Sequence, residues 1–346
     1  HPGPARLRRG RDRGEAAMTD AMTEAMQAQM ENVFTEADSR AARANVFGQE
    51  LIKLATDHPE VVLLSADLGA AVGDLRRQEP HRYVELGIAE TNAISVAAGM
   101  AACGQVPYVL AMGPFCAIKT AEQIRTDAAY TKMPLRILAR LSGLAMGYFG
   151  TSHHAIEDIA ITRSITNLTV VAPSDDNSAV ALLRSTFDHP GPVFFRMSEG
   201  LTRPVYDEVP TIERGRMLEV RSGSDVTVIG TGVGVSAALG AAEALEGEGI
   251  SVGVLDAAYL KPLDEETIVA AARGSGAVLT VEEHNVVGGL GTAVAEVLAR
   301  HQVPAKLRLF GLPDVDLEVA TPAQLLEHYG LTPAGVTKEL RQLLGK

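Results

Sequence analysis

The sequence has 346 residues, 46% hydrophobic and 21% charged, with 43 acidic against 31 basic side chains and a formal net charge of −12. That length suits two domains, each with its own core, and the acidic balance argues against nucleic acid as the main partner. Two cysteines, Cys103 and Cys116, make neither a disulfide framework nor a metal-ligand spacing, which points to a reducing cytoplasm.

In chain order, residues 1–36 are basic at their start, lack the apolar stretch of a secretory signal, and are expected to form a poorly ordered extension. Ala37 to Thr56 has helical spacing, with Val46, Leu51 and Leu54 near one face. Val61 to Ser65 is a continuous apolar run of the kind buried on both sides of a parallel sheet. Tyr83 to Leu86 reads as strand, and a helix rich in small apolar residues follows Gly87. Residues 91–118 carry no charge, but Gly99, Gly104, Pro107, Gly113 and Pro114 interrupt them, so they predict helix, turn and strand rather than a membrane span. Val106 to Ala111, Leu135 to Ala139, Leu168 to Val171 and Val193 to Arg196 read as strands. Phe115 to Tyr130, Ala155 to Ser164 and Asp175 to Phe187 read as the helices between them.

Leu201 to Gly223 is richer in Pro, Gly and charge and reads as a linker. Beyond it, strands are expected at Val226 to Ile229, Ser251 to Leu255, Ala277 to Val281 and Leu307 to Phe310. Helices are expected near Val235 to Leu245, Glu265 to Ala272, Gly289 to Ala299 and Pro322 to Tyr329. The fold class is therefore α/β, with two doubly wound domains of mainly parallel sheet at 37–200 and 224–346, joined by the linker 201–223.

Three stretches carry candidate chemistry. In YVELGIAETNAISVAAGMAA, Tyr83 to Ala102, Glu90 stands at the mouth of an Ala/Gly-rich helix. A poorly hydrated carboxyl group is raised towards neutral pH and becomes able to exchange a proton. Locally, the plainer account of an acid favoured in a first helical turn carries more weight. IGTGVGVSAALGAA, Ile229 to Ala242, with Asp256 at the end of the next strand, partly matches a dinucleotide fingerprint, but Val235 stands where its third glycine belongs. HHAIED, His153 to Asp158, offers imidazoles and carboxylates without a complete metal set, and suits histidines flanking a substrate at a helix entrance or a capped, solvated helix start.

Taken together, GIAETNAISVAAGMAA, AEQIRTDAAY, GTSHHAIEDIAITRSITNLTVVAPSD and VEEHNVVGGLGTAVAEVL resemble, in this order, the C-terminal half of transketolases. They are most similar to the C-terminal subunit of transketolases split into two chains, and LPDVDLEVATPAQLLEHYGLTPAGV resembles the end of that subunit. The resemblance implies a pyrimidine-binding domain, a transketolase C-terminal domain and thiamine diphosphate as cofactor. The family's catalytic glutamate falls on Glu90, which would hydrogen-bond a ring nitrogen of the aminopyrimidine and promote the tautomer that takes the thiazolium proton. Asp67 matches a family aspartate near the cofactor, His153 the substrate-facing histidine, and Arg196 the arginine that binds the substrate phosphate.

The family's Gly-Asp-Gly…Asn motif, which holds the diphosphate through Mg²⁺, is absent; Gly73-Asp74-Leu75 does not replace it, and no metal ligand is assigned to this chain. The resemblance thus implies an N-terminal transketolase subunit carrying the diphosphate and Mg²⁺ site, in an α2β2 assembly with active sites between chains. Other family positions depart. The second phosphate-side histidine and the serine fall on Leu141 and Ala71, and the second arginine on Ala44, beside Arg43. The aspartate that reads a sugar hydroxyl falls on Phe149. The aromatic cluster around the aminopyrimidine keeps Phe115 but has Ile118 and Ala121 at its other places. These departures predict transfer of a two-carbon ketol unit from a ketose to an aldehyde lacking the usual sugar phosphate, or to a carrier-tethered one. The alternative is a 2-oxo acid decarboxylating, acyloin-forming enzyme similar to deoxyxylulose-phosphate synthase or to dehydrogenase beta subunits. A scaffold without turnover is disfavoured by the presence of Glu90, Asp67 and His153.

Overall fold

The computed structural model describes residues 46–68, 76–77, 79–198 and 203–346. The expected extension, with Arg43, Ala44, Ala71 and Gly73-Asp74-Leu75, lies outside the described residues.

The first half runs α1 (Val46–Asp57), β1 (Val61–Ser65), β2 (Tyr83–Glu85), α2 (Glu90–Ala102), β3 (Val106–Met112), α3 (Ala121–Gln123), β4 (Arg136–Arg140), α4 (Asp158–Ser164), β5 (Thr169–Val171), α5 (Asp176–Thr186) and β6 (Val193–Arg196). The second half runs β7 (Leu218–Arg221), β8 (Val226–Gly230), α6 (Val233–Glu246), β9 (Val252–Asp256), β10 (Tyr259–Lys261), α7 (Glu265–Ser275), β11 (Ala277–Asn285), α8 (Leu290–Arg300), β12 (Lys306–Leu312), α9 (Pro322–His328) and α10 (Pro333–Leu344).

Two sheets form, in the orders β10-β5-β6-β4-β3-β1-β2 and β12-β11-β8-β9-β7. All pairings are parallel except β10 with β5 and β7 with β9. Side chains alternate across a strand, so a wholly apolar strand supplies two cores at once. In β1, Val61 and Leu63 pack with Phe47 and Leu51 of α1 and Leu182 of α5. Val62 and Leu64 face the other way, against Ala93 and Ala97 of α2. The small residues of α2 let it lie close on the sheet. That second core continues into Leu290, Val294 and Val297 of α8, so the halves share apolar packing.

Several expectations need correction. Phe115 to Tyr130 is not one regular helix: π-helical turns at Phe115–Lys119 and Ile124–Ala129 flank the short α3. Such widened turns concentrate at functional sites. The segment expected as linker contains β7, an edge strand whose LEVR sequence is too polar to announce itself. β10 was not foreseen; it leaves the second half to pair with β5, placing Tyr259 opposite Val171. No helix among the described residues is long and apolar enough to cross a membrane.

Candidate active site

The candidate residues gather at the carboxyl ends of the first sheet's strands, where open α/β sheets form their crevices. Beyond β2 the chain turns at Gly87, whose φ of 67° is a left-handed conformation that suits glycine, and Glu90 opens α2. The Glu85 carboxylate accepts the Tyr83 hydroxyl at 2.6 Å and the amides of Asp67 and Gly87 at 3.0 Å each. It thereby ties the end of β1 to the turn that aims Glu90. Asp67 itself is exposed, with φ 60°, and its link to the turn before Glu90 is its backbone amide on Glu85.

Glu90 is 3% exposed. Its Oε2 accepts a hydrogen bond from Lys119 Nζ at 2.6 Å, while the Lys119 side chain remains 46% exposed. Lys119 was not among the expected residues, although it is the first charged side chain after the uncharged run 91–118. Its ammonium also lies over the Phe115 ring, 5.8 Å from the centroid. From Phe115 an aromatic line continues. His153 meets Phe115 edge-on at 5.4 Å, Phe149 lies 4.7 Å from His153, and Tyr148 lies 4.8 Å from Phe149. Ile118, on the turn that carries Phe115 and Lys119, is 58% exposed, and Phe149 is 39% exposed.

Burial, helped by neighbouring His154, pulls the His153 imidazole below its ordinary value, so it is neutral at pH 7; its Nδ1 lies 2.9 Å from Ser152 Oγ. His154 is buried instead, with Nε2 3.2 Å from the Gly147 carbonyl, and supports the loop. Cys116, beneath Glu90, has its thiol pushed well up by burial and by the charges of Glu90 and Asp158, which leaves it unreactive. Leu141 follows β4 with φ 54°, a strained backbone for a γ-branched residue, and the aromatic line runs from Phe115 to Tyr148 without it.

Arg196 departs from the expectation of a phosphate-binding arginine. It is 1% exposed. Its Nε donates to both Asp158 carboxylate oxygens at 3.0 Å, its Nη1 to Ser198 Oγ at 3.1 Å, and its Nη2 to the carbonyls of Ala155 at 3.2 Å and Glu283 at 2.6 Å. With its donors spent inside, this guanidinium bolts β6 to α4 and β11. The neighbouring Glu283 accepts the Leu144 amide at 2.8 Å, and Glu282 accepts the amides of Leu290 and Gly291 at 2.6 and 2.8 Å. Burial lifts the Glu282 carboxyl to about 7.

The partial dinucleotide fingerprint has a packing explanation. A side chain at Gly234 would collide with the Val281 backbone, so this glycine seats α6 on the sheet. Asp256, the candidate ribose ligand of such a motif, is fully buried and accepts Ser174 Oγ at 2.7 Å and the Tyr206 hydroxyl at 2.9 Å.

Among the described residues, no group of three or more His, Cys, Asp or Glu side chains is placed to hold a metal ion. The arrangement offers a buried carboxylate beside an exposed apolar side chain and an aromatic ring, with a neutral imidazole beyond. It suits a flat heteroaromatic ligand with one polar edge.

Comparisons with known proteins agree with this architecture. Residues 39–204 match the family "Transketolase, pyrimidine binding domain", and residues 215–336 match "Transketolase, C-terminal domain". A putative transketolase C-terminal section from Methanocaldococcus jannaschii is 36% identical over 304 residues, covering 87% of this chain and 95% of that protein. One of the subunits of an apulose-4-phosphate transketolase from Phocaeicola vulgatus is 32% identical over 313 residues, covering 90% of this chain and all, 100%, of that protein. By contrast, the 1-deoxy-D-xylulose-5-phosphate synthase of Symbiobacterium thermophilum, 35% identical, is matched over only 47% of its length. A solved split-gene transketolase, an inactive beta4 tetramer, superposes with a TM-score of 0.78 at 37% identity, covering 86% of this chain and 96% of that one. The chain belongs to the transketolase family, as the C-terminal part built from its pyrimidine-binding and C-terminal domains.

Proposed function

We propose that this chain is the C-terminal subunit of a thiamine diphosphate-dependent transferase that moves a two-carbon ketol unit from a ketose to an aldehyde. Its working form is an α2β2 complex with an N-terminal transketolase subunit, which supplies the diphosphate and Mg²⁺ site, in the cytoplasm. The observation that carries this reading is Glu90, a buried carboxylate in the first turn of α2, joined through Lys119 to the turn that carries Phe115 and Ile118. When bound, thiamine diphosphate supplies a carbon nucleophile for breaking and remaking the bond next to a ketone.

The residues of this chain do the rest. Glu90 would hold the aminopyrimidine edge and exchange a proton with it. Phe115 and Ile118 would pack on the ring by dispersion and keep water from it. His153, uncharged at neutral pH, exchanges hydrogen bonds with a substrate hydroxyl. Asp67, whose amide is bracketed by Glu85, would face the cofactor near the partner chain, as the resemblance implies. Leu141 and Phe149 turn the acceptor side apolar. Arg196, occupied by Asp158 and Glu283, offers no charge to a phosphate. These features support an acceptor without the usual sugar phosphate.

The test is steady-state turnover of the complex reconstituted with its N-terminal partner, using phosphorylated and unphosphorylated aldehydes at a fixed ketose concentration. Preference for the unphosphorylated acceptor is expected. Full turnover with ribose 5-phosphate and xylulose 5-phosphate overturns the substrate assignment, and release of CO₂ from pyruvate favours the decarboxylating alternative. Tight binding of cofactor and Mg²⁺ by this chain alone overturns the two-subunit reading.

A further inference from the structure

The contact between Lys119 and Glu90 joins a nearly inaccessible carboxylate to a half-exposed ammonium. A carboxylate enclosed without a partner is costly, so a counter-charge at 2.6 Å makes Glu90 tolerable in its apolar setting. The same ammonium occupies one of the two oxygens through which Glu90 could meet a ligand. With the side chain 4% exposed, a second partner gains Oε2 only by sharing it with Lys119 or by displacing it.

Two features ease displacement. Lys119 carries a long flexible stem, so releasing the carboxylate needs side-chain rotation and no backbone change. Its side chain is already 46% exposed, so an ammonium released from Glu90 regains full hydration without crossing the site.

We propose that Lys119 is a latch on Glu90. It holds the carboxylate while the site lacks its heteroaromatic ligand and gives it up, swinging out into solvent, when the aminopyrimidine of thiamine diphosphate arrives. The inference rests on Glu90 being the residue that meets this ring. Lys119 is accordingly a positioning residue, and its signature lies in cofactor affinity and in the exposure of its own amine.

The test uses the full chain co-expressed with its N-terminal subunit. Cofactor affinity is titrated calorimetrically at fixed Mg²⁺ for wild type, Lys119→Met and Lys119→Arg. Lys119→Met is expected to bind thiamine diphosphate about five- to tenfold more tightly, because the ring no longer competes with an ion pair, while Lys119→Arg stays near wild type. In a Glu90→Gln background, Lys119→Met is expected to change affinity less than about twofold. In parallel, acylation of Lys119 by an amine-specific reagent is followed by mass spectrometry. It is expected to speed up several-fold when cofactor saturates the complex, and likewise in cofactor-free Glu90→Gln. Unchanged or weaker binding by a Lys119→Met variant with wild-type thermal unfolding overturns the latch, as does Lys119 acylation that slows on cofactor binding. If neither form binds thiamine diphosphate, the cofactor assignment itself falls and the latch with it.

Discussion

Replacing Arg196 by Met separates an internal bolt from a substrate ligand. The side chain gives five hydrogen bonds at 2.6–3.2 Å, two of them to Asp158, and sits 3.7 Å from Glu283 Oε2. Charge-assisted hydrogen bonds contribute ~1.5–3 kcal/mol each, but those sharing one guanidinium are not additive. The larger consequence is that Asp158 and Glu283, 2% and 1% exposed, lose their counter-charge. Breaking a buried ion pair from one side costs ~3–5 kcal/mol, and that is the expected destabilisation. Urea unfolding followed by circular dichroism reads it as a midpoint lowered by ~1 M or more, for a slope near ~3 kcal/mol/M. Adding Asp158→Leu to Arg196→Met is expected to recover part of the loss, since apolar packing replaces a buried pair well. The reasoning is refuted by an Arg196→Met protein that unfolds within ~1 kcal/mol of wild type while its KM for a phosphorylated acceptor rises tenfold or more.

Three further outcomes are expected. Glu90→Gln should lower turnover by ~10²–10⁴-fold with cofactor still bound, as calorimetry can establish, because the amide keeps the shape and loses the exchangeable proton. Phe149→Asp, which puts a carboxylate beside His153, should raise kcat/KM for polyhydroxylated acceptors over plain aldehydes by roughly tenfold, about one charge-assisted hydrogen bond. Burial lifts the Asp256 carboxyl from its ordinary 3.8 to about 7, so the folded state holds this proton more tightly than the unfolded one. The contribution is complete below the unfolded value and lost as pH rises through the folded one. Asp256→Asn should therefore gain stability over wild type at pH 8 but not at pH 4, measured by unfolding at both.

The strands that position the site were legible because they are buried on both faces: Val61–Ser65 and Val193–Arg196 end where their apolar runs end. At Glu90 the contrast with the small apolar residues after it drew attention, but its local sequence suited an ordinary first-turn acid equally, and only the resemblance gave it a role. Lys119 was not legible, because its partner lies across β3 and neither local periodicity nor charge spacing reports such a pair. Arg196 drew its expected role from the resemblance, and an arginine closing a strand does not report in sequence that it meets a glutamate 87 residues away, as this one does. The β7 and β10 strands were missed because each is held by its neighbour: both are short, antiparallel and placed at a sheet edge.

The path of β10 has a bearing on how the molecule can be divided. Because Tyr259–Lys261 closes the β5 edge of the first sheet, a fragment stopping before the second half would expose unpaired backbone along Thr169–Val171. Truncation at the boundary between the two family domains should therefore yield an aggregating product. A protease nick near residues 203–217, by contrast, should leave two pieces that remain together, held by that strand, by Tyr259 against Ser185 and by Lys261 on the Arg163 carbonyl.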